Sequence, residues 1–128
     1  MSIDDKRRIE GVGIDVADME RFADKGGDAA FLERLFTIKE RADMSFKKNI
    51  VGHIAQSFAA KEAIIKALGN LSGKGVNWVD IEIENSPDAG LVVNLHNAAL
   101  KAGGGKKIFL SVACTKKRAV AFAVAEQL

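Results

Sequence analysis

The segment FAAKEAIIKALG, Phe58–Gly69, sets one carboxylate among three charges: Lys61, Glu62 and Lys66. On a helix, Glu62 and Lys66 share a side and lie one turn apart. An acid and two bases at the edge of an apolar face suit a metal-bound phosphate. The carboxylate would hold Mg²⁺ and the lysines would neutralise phosphate oxygens. Mg²⁺ is usually held by one or two carboxylates together with waters and substrate oxygens. A second acid is therefore expected close in space. Asp15 is the candidate, because Gly11-Val12-Gly13-Ile14 puts it at the end of a buried strand. An acid there is costly unless paired or metal-bound. Structural readings stand beside these. Glu62 and Lys66 would form an ordinary surface pair. Lys61 would pack its stem and send its ammonium to water. Asp15 would cap the helix that follows, a task open to Asp18 as well.

The elements that must position these groups follow from periodicity. IEGVGIDV, residues 9–16, reads as a strand ending near Asp15, and VADMERFADKGG as a helix stopping at Gly26-Gly27. Asp28 caps a short helix through Leu35. Thr37 and Glu40 form a capping-box pattern for another, running to about Ser45. One long helix spans Ile50 to Leu68 and stops at Gly69. Ile50, Ile54, Phe58, Ile65 and Leu68 form its apolar stripe, with Lys61 inside the stripe and Glu62 at its edge. Ala59, Ala60, Ala63 and Ala67 would let another backbone come close. VDIEIE, residues 79–84, alternates as a half-exposed strand. NSPDAG is a turn and LVVNL (91–95) the returning strand. A short helix from Asn97 to Ala102 ends at the three glycines 103–105. KIFLSVAC and RAVAFAVAE are two apolar strands joined near Thr115–Lys117, and both read as buried on two faces. The expected class is α+β, with a long helix packed on an antiparallel sheet.

The chain has 128 residues, which fits one domain over 1–128 with a core of its own. The apolar share of 48% and charged share of 28% are those of an ordinary globular protein. The net charge of +2, the scatter of the basic clusters and the few aromatic residues argue against nucleic acid. The clusters Lys6-Arg7-Arg8, Lys47-Lys48, Lys106-Lys107 and Lys116-Lys117-Arg118 read as solvated turns or as contacts for an acidic partner. A single cysteine, Cys114, excludes an internal disulfide framework. No secretory signal pattern opens the chain, and no run approaches the roughly 18 apolar residues of a membrane span. The expectation is a cytoplasmic protein.

GVGIDVADMERF and SFAAKEAIIKALG together resemble the two signature stretches of the holo-acyl-carrier-protein synthases. These are the small single-domain members of the 4'-phosphopantetheinyl transferase superfamily. FLERLFTIKER, GVNWVDIEIEN and LSVACTKKRAVAFAVAE continue the resemblance in the same order, so it covers nearly the whole chain from Glu10. It implies transfer of phosphopantetheine from coenzyme A to a serine of apo acyl carrier protein, a step of fatty acid biosynthesis. Asp15 and Glu62 match the family's metal-binding acids. Lys61 and Lys66 match its motif lysines, with Lys66 on the diphosphate. Glu62 and Lys66 are the implied catalytic pair. Arg21, and more weakly Arg34, match positions that receive the acidic carrier protein. The resemblance further implies a homotrimer.

Three positions depart from the family pattern. Ser57 stands where an arginine is usual, Leu71 where a turn glycine is usual, and Cys114 where a histidine is usual. Each usual residue can serve a phosphate: arginine as a charged fork, glycine by close backbone approach, histidine as a donor. Arg118, Lys116, Lys117 or His53 would be the source of compensating charge. An alternative follows, in which the fold has lost transfer and keeps a carrier-protein-binding role. Cys114 itself reads as a small buried hydrophobe.

Overall fold

The computed structural model describes residues 8–69 and 75–127. In chain order they form β1 (Arg8–Asp18), a 3-10 turn (Met19–Phe22), α1 (Ala29–Leu35), α2 (Ile38–Met44) and α3 (Ile50–Ala67). A second 3-10 turn (Trp78–Asp80) leads to β2 (Ile81–Ser86), β3 (Gly90–Leu95), α4 (Asn97–Gly103), β4 (Lys106–Cys114) and β5 (Arg118–Gln127). The class is α+β. The strands make two antiparallel sheets, β1-β5-β4 and the hairpin β2-β3, where a single sheet was expected.

The α3 helix packs on β1 and β5, and small residues make the approach possible. On the helix-facing side of β1 stand Gly11, Gly13, Asp15 and Ala17, paired with Ala125, Ala123, Ala121 and Ala119 of β5. All four alanines are buried. Facing them, α3 presents Ala59, Ala60, Ala63 and Ala67, also buried. Backbone meets backbone where larger side chains would hold the layers apart. Burial extends almost all round α3, taking in Ile54, Ala55, Phe58, Lys61, Ile64 and Ile65 as well. A simple two-faced helix does not describe it.

The local signals hold where caps set the ends. The Asp28 side chain accepts from Phe31 N at 3.1 Å, and the Thr37–Glu40 capping box is complete. Gly69 takes φ +98, the left-handed conformation that ends a helix.

Two expectations are corrected. The stretch after Asp15 is not a helix running to Gly26-Gly27. β1 stays paired with β5 as far as Asp18 opposite Arg118, leaving only the four-residue 3-10 turn. Asp15 therefore caps nothing, and Asp18 pairs with Arg118 at 2.9 Å instead. Nor are β4 and β5 buried on both faces. In β5 the alanines point inward, while Val120 and Phe122 point out, joined by Val12, Ile14 and Val16 of β1 and Phe109 of β4. That outer sheet face is apolar and exposed.

Candidate active site

The β1 side that faces α3 carries one residue larger than alanine among its middle positions, Asp15. Its carboxylate lies against the last turns of α3. Lys66 Nζ donates to Asp15 Oδ1 at 3.1 Å and to the Ile14 carbonyl at 2.9 Å. Lys66 stays half exposed, so the ion pair opens to solvent. Glu62 lies one helical turn before Lys66 on the same side. Asp15 and Lys66 are thus brought together, while Glu62 stands one turn earlier on α3.

Glu62 has a partner that the sequence reading did not assign. Its Oε1 accepts the indole N–H of Trp78 at 3.0 Å. The Trp78 ring sits edge-on to Phe58, with centroids 5.3 Å apart, and is tilted against Phe31 at 6.5 Å. Phe22 joins the cluster at 5.2 Å from Phe58. Arg21 lies over this cluster, its guanidinium carbon 4.5 Å from the Phe58 centroid. Such stacking holds a cation in place while leaving its outer edge free. Arg34 sits over Phe31 at a looser 6.0 Å. Both arginines are exposed.

Lys61 departs from expectation. It neither reaches water nor stands at the phosphate edge, and it is fully buried. Its ammonium donates to Glu40 Oε1 at 2.7 Å, to Leu35 O at 2.6 Å and to Trp78 O at 3.1 Å. An ammonium has three N–H donors, and these partners use all three. None remains for a phosphate in this arrangement. Burial pulls the Lys61 pKa below the usual lysine value, and the neighbouring Glu40 carboxylate opposes that pull. Glu40 is itself buried. It caps Thr37 N at 2.9 Å through Oε1 and accepts from Ile83 N at 2.9 Å through Oε2. The capping-box pattern revealed one of these tasks. Nothing in the sequence links residue 40 to residue 61.

Of the departures, Ser57 lines a groove of about 570 Å³, together with Lys39, Lys47, His53, Ile83 and Leu110. His53 stacks on Phe36 with centroids 5.6 Å apart. Burial, and then the nearby Lys47, lower its pKa from 6.5, which disfavours the charged ring as a source of cation for the groove. Cys114 is exposed at the end of β4 and is not a buried hydrophobe. Arg118 is engaged with Asp18. Leu71 lies outside the described residues.

Among the described residues no cluster of three or more His, Cys, Asp or Glu is arranged to hold a metal. Two carboxylates are nevertheless what Mg²⁺ commonly takes from a protein when substrate oxygens complete its shell. Asp15 and Glu62 fit that donor set.

The fold and this edge define a class. The chain belongs to the 4'-phosphopantetheinyl transferase superfamily, whose model matches residues 11–123, and within it to the holo-acyl-carrier-protein synthase type. It is 39% identical over 121 residues to a holo-[acyl-carrier-protein] synthase of Alkaliphilus metalliredigens, covering 91% of this chain and 98% of that one. Among solved structures, it superposes on the holo-(acyl-carrier-protein) synthase of Bacillus anthracis in complex with CoA (3',5'-ADP). The TM-score is 0.78 at 31% identity, over 94% of this chain and 98% of that one. The Plasmodium yoelii acyl carrier protein synthase with ADP bound gives a TM-score of 0.84 at 29% identity, over 95% and 98%.

Proposed function

We propose that this protein transfers the 4'-phosphopantetheine group from coenzyme A to a serine of apo acyl carrier protein. The observation that carries this reading is the Asp15–Lys66 pair one helical turn from Glu62, at an open edge. In the reaction, the serine hydroxyl attacks the phosphorus on the pantetheine side of the diphosphate. The bond to that phosphorus from the bridging oxygen breaks, and adenosine 3',5'-bisphosphate leaves. Lys66, half exposed and only 3.1 Å from Asp15, is placed to move onto a diphosphate oxygen and offset its charge. Glu62, directly or through a water, takes the serine proton. Asp15 and Glu62 would hold Mg²⁺, which supplies charge neutralisation on the phosphate oxygens. Positioning of the two substrates contributes much of the remainder.

Arg21, held over Phe58, is the contact for the acidic carrier protein, with Arg34, over Phe31, a second basic point at the aromatic cluster. The exposed apolar face formed by Val12, Ile14, Val16, Phe109 and Phe122 supports assembly into a homotrimer. The reading of a carrier-protein binder without transfer activity is not favoured, because the chain matches holo-acyl-carrier-protein synthases over nearly its whole length and keeps the Asp15–Lys66 pair.

Intact-mass measurement of an apo acyl carrier protein, incubated with this protein, coenzyme A and Mg²⁺, tests the reading. A gain of one phosphopantetheine is expected, and it should be lost in Asp15→Asn and Glu62→Gln. No gain under conditions where an authentic synthase loads the same carrier would overturn it. Full activity in either variant would remove that acid from the site.

A further inference from the structure

Two polar groups of this site face inward, not toward a ligand. The indole N–H of Trp78 is directed at Glu62 Oε1, and the Trp78 carbonyl is held by the buried ammonium of Lys61. Trp78 opens the 3-10 turn before β2, a short element with little hydrogen bonding of its own to fix a side chain. Its place is set from three other sides. Phe58 and Phe31 flank the ring. Asp80 ties the start of the turn by accepting from Asn77 N at 2.9 Å. Lys61, anchored on Glu40 and Leu35, grips the main chain at Trp78 itself. Lys61 and Glu62 are neighbours on α3, so one helix holds Trp78 by its backbone and is met in return by its indole.

We propose that Trp78 is a positioning residue for Glu62, and that Lys61 serves the reaction through Trp78 by fixing its main chain. The proposal rests on Glu62 being the acid of the transfer reaction. An indole N–H has one use and one direction. Bound to Oε1, it stops rotation of the carboxylate and leaves Oε2 for the substrate side. A carboxylate held in one rotamer is already aligned when the serine arrives, which raises turnover more than substrate affinity. On this account the lysine next to the site acid belongs to the support of the site, while Lys66 belongs to its chemistry.

Trp78→Phe tests this, because phenylalanine removes the donor while keeping an aromatic ring, though a smaller one, against Phe58 and Phe31. A hydrogen bond to a charged group supports a fall in kcat of about tenfold. The KM for coenzyme A should stay within about twofold, since the indole makes no substrate contact in the proposed arrangement. The same change introduced into a Glu62→Asp background should cost little more. With the carboxylate drawn back by one methylene, the indole has nothing left to align. Unchanged kcat in Trp78→Phe would overturn the proposal, as would an effect on KM alone. So would an equal loss in both backgrounds.

Should Trp78→Phe fail to fold, the chain's single tryptophan supplies a second measurement. Glu62→Met removes the acceptor and should shift the indole emission of the folded protein. Unchanged emission would overturn the proposal. Failure of the premise looks different, because then Glu62→Gln would transfer as well as the unaltered protein.

Discussion

Gly13 lies so close to α3 that a Cβ added to it would sit 2.0 Å from the Ala63 carbonyl oxygen. The obstacle is backbone, which cannot swing aside as a side chain can. Gly11 stands in the same relation to Ala67, at 1.9 Å. These two glycines let β1 lie directly on the helix that carries Glu62 and Lys66, and Asp15 is the next residue on that face. Gly13→Ala should therefore destabilise the fold by at least about 1–3 kcal/mol, the usual cost of overpacking. It should also widen the gap between Asp15 and Lys66. Urea denaturation measures the first effect. The second appears as transfer activity lost well below the melting temperature. An alanine variant of unchanged stability would mean that the layers can separate at no cost.

Lys61→Met should be destabilising for a different reason. The methionine fills similar space, but Glu40 keeps its charge in the interior without the ammonium. Breaking a buried pair from one side costs about 3–5 kcal/mol. Glu40→Gln together with Lys61→Met removes both charges, and the double variant should be more stable than the sum of the singles implies. Thermal denaturation of the four proteins closes the cycle. Strict additivity would show that the two groups do not depend on one another.

How much of this was legible in the sequence depended on whether one local signal was enough. The caps at Asp28 and Thr37, the long α3 and the turn before Gly90 each follow from residues a few positions apart, and each is present. The contact between Asp15 and Lys66 was legible from residue chemistry and from the family resemblance. The reading failed where a distant partner decides. VADMERF has helical spacing, yet β5 runs alongside as far as Asp18 and holds it extended. RAVAFAVAE is apolar at nearly every position, so hydropathy shows no faces. Side-chain size does show them: alanines lie inward against α3, while Val120 and Phe122 lie outward. Lys61 looked like a lysine with its head in water because Glu40, in another helix, leaves no trace in the local pattern. The indole donor to Glu62 was equally hidden, although Trp78 is the only tryptophan.

His53 gives a pH dependence with a definite sign. Burial against Phe36 lowers its pKa from 6.5, so between 6.5 and its folded value the unfolded chain binds the extra proton. Stability contributed by the neutral ring is therefore complete above 6.5 and declines as the pH falls through that window. Titration of the imidazole protons by NMR should give a midpoint under 6.5 in the folded protein. A midpoint at or above that value would mean that the ring is solvated and available to the groove as a cation.

Lys66 and Lys61 belong to one helix and should behave in opposite ways. Lys66 forms an exposed pair with Asp15, and exposed pairs contribute only about 0–1 kcal/mol. Lys66→Met should leave the melting temperature nearly unchanged. Its ammonium is nevertheless the mobile cation at the proposed diphosphate site, where a charge-assisted hydrogen bond is worth about 1.5–3 kcal/mol. Transfer should then fall by at least about tenfold, and Lys66→Arg should restore part of it, because a guanidinium still carries the charge. Steady-state kinetics beside a melting curve separates the outcomes. Lost activity with intact stability places Lys66 in the chemistry. Lost stability in step with activity would make it a structural lysine, and the open edge between β1 and α3 would lose its claim to the reaction.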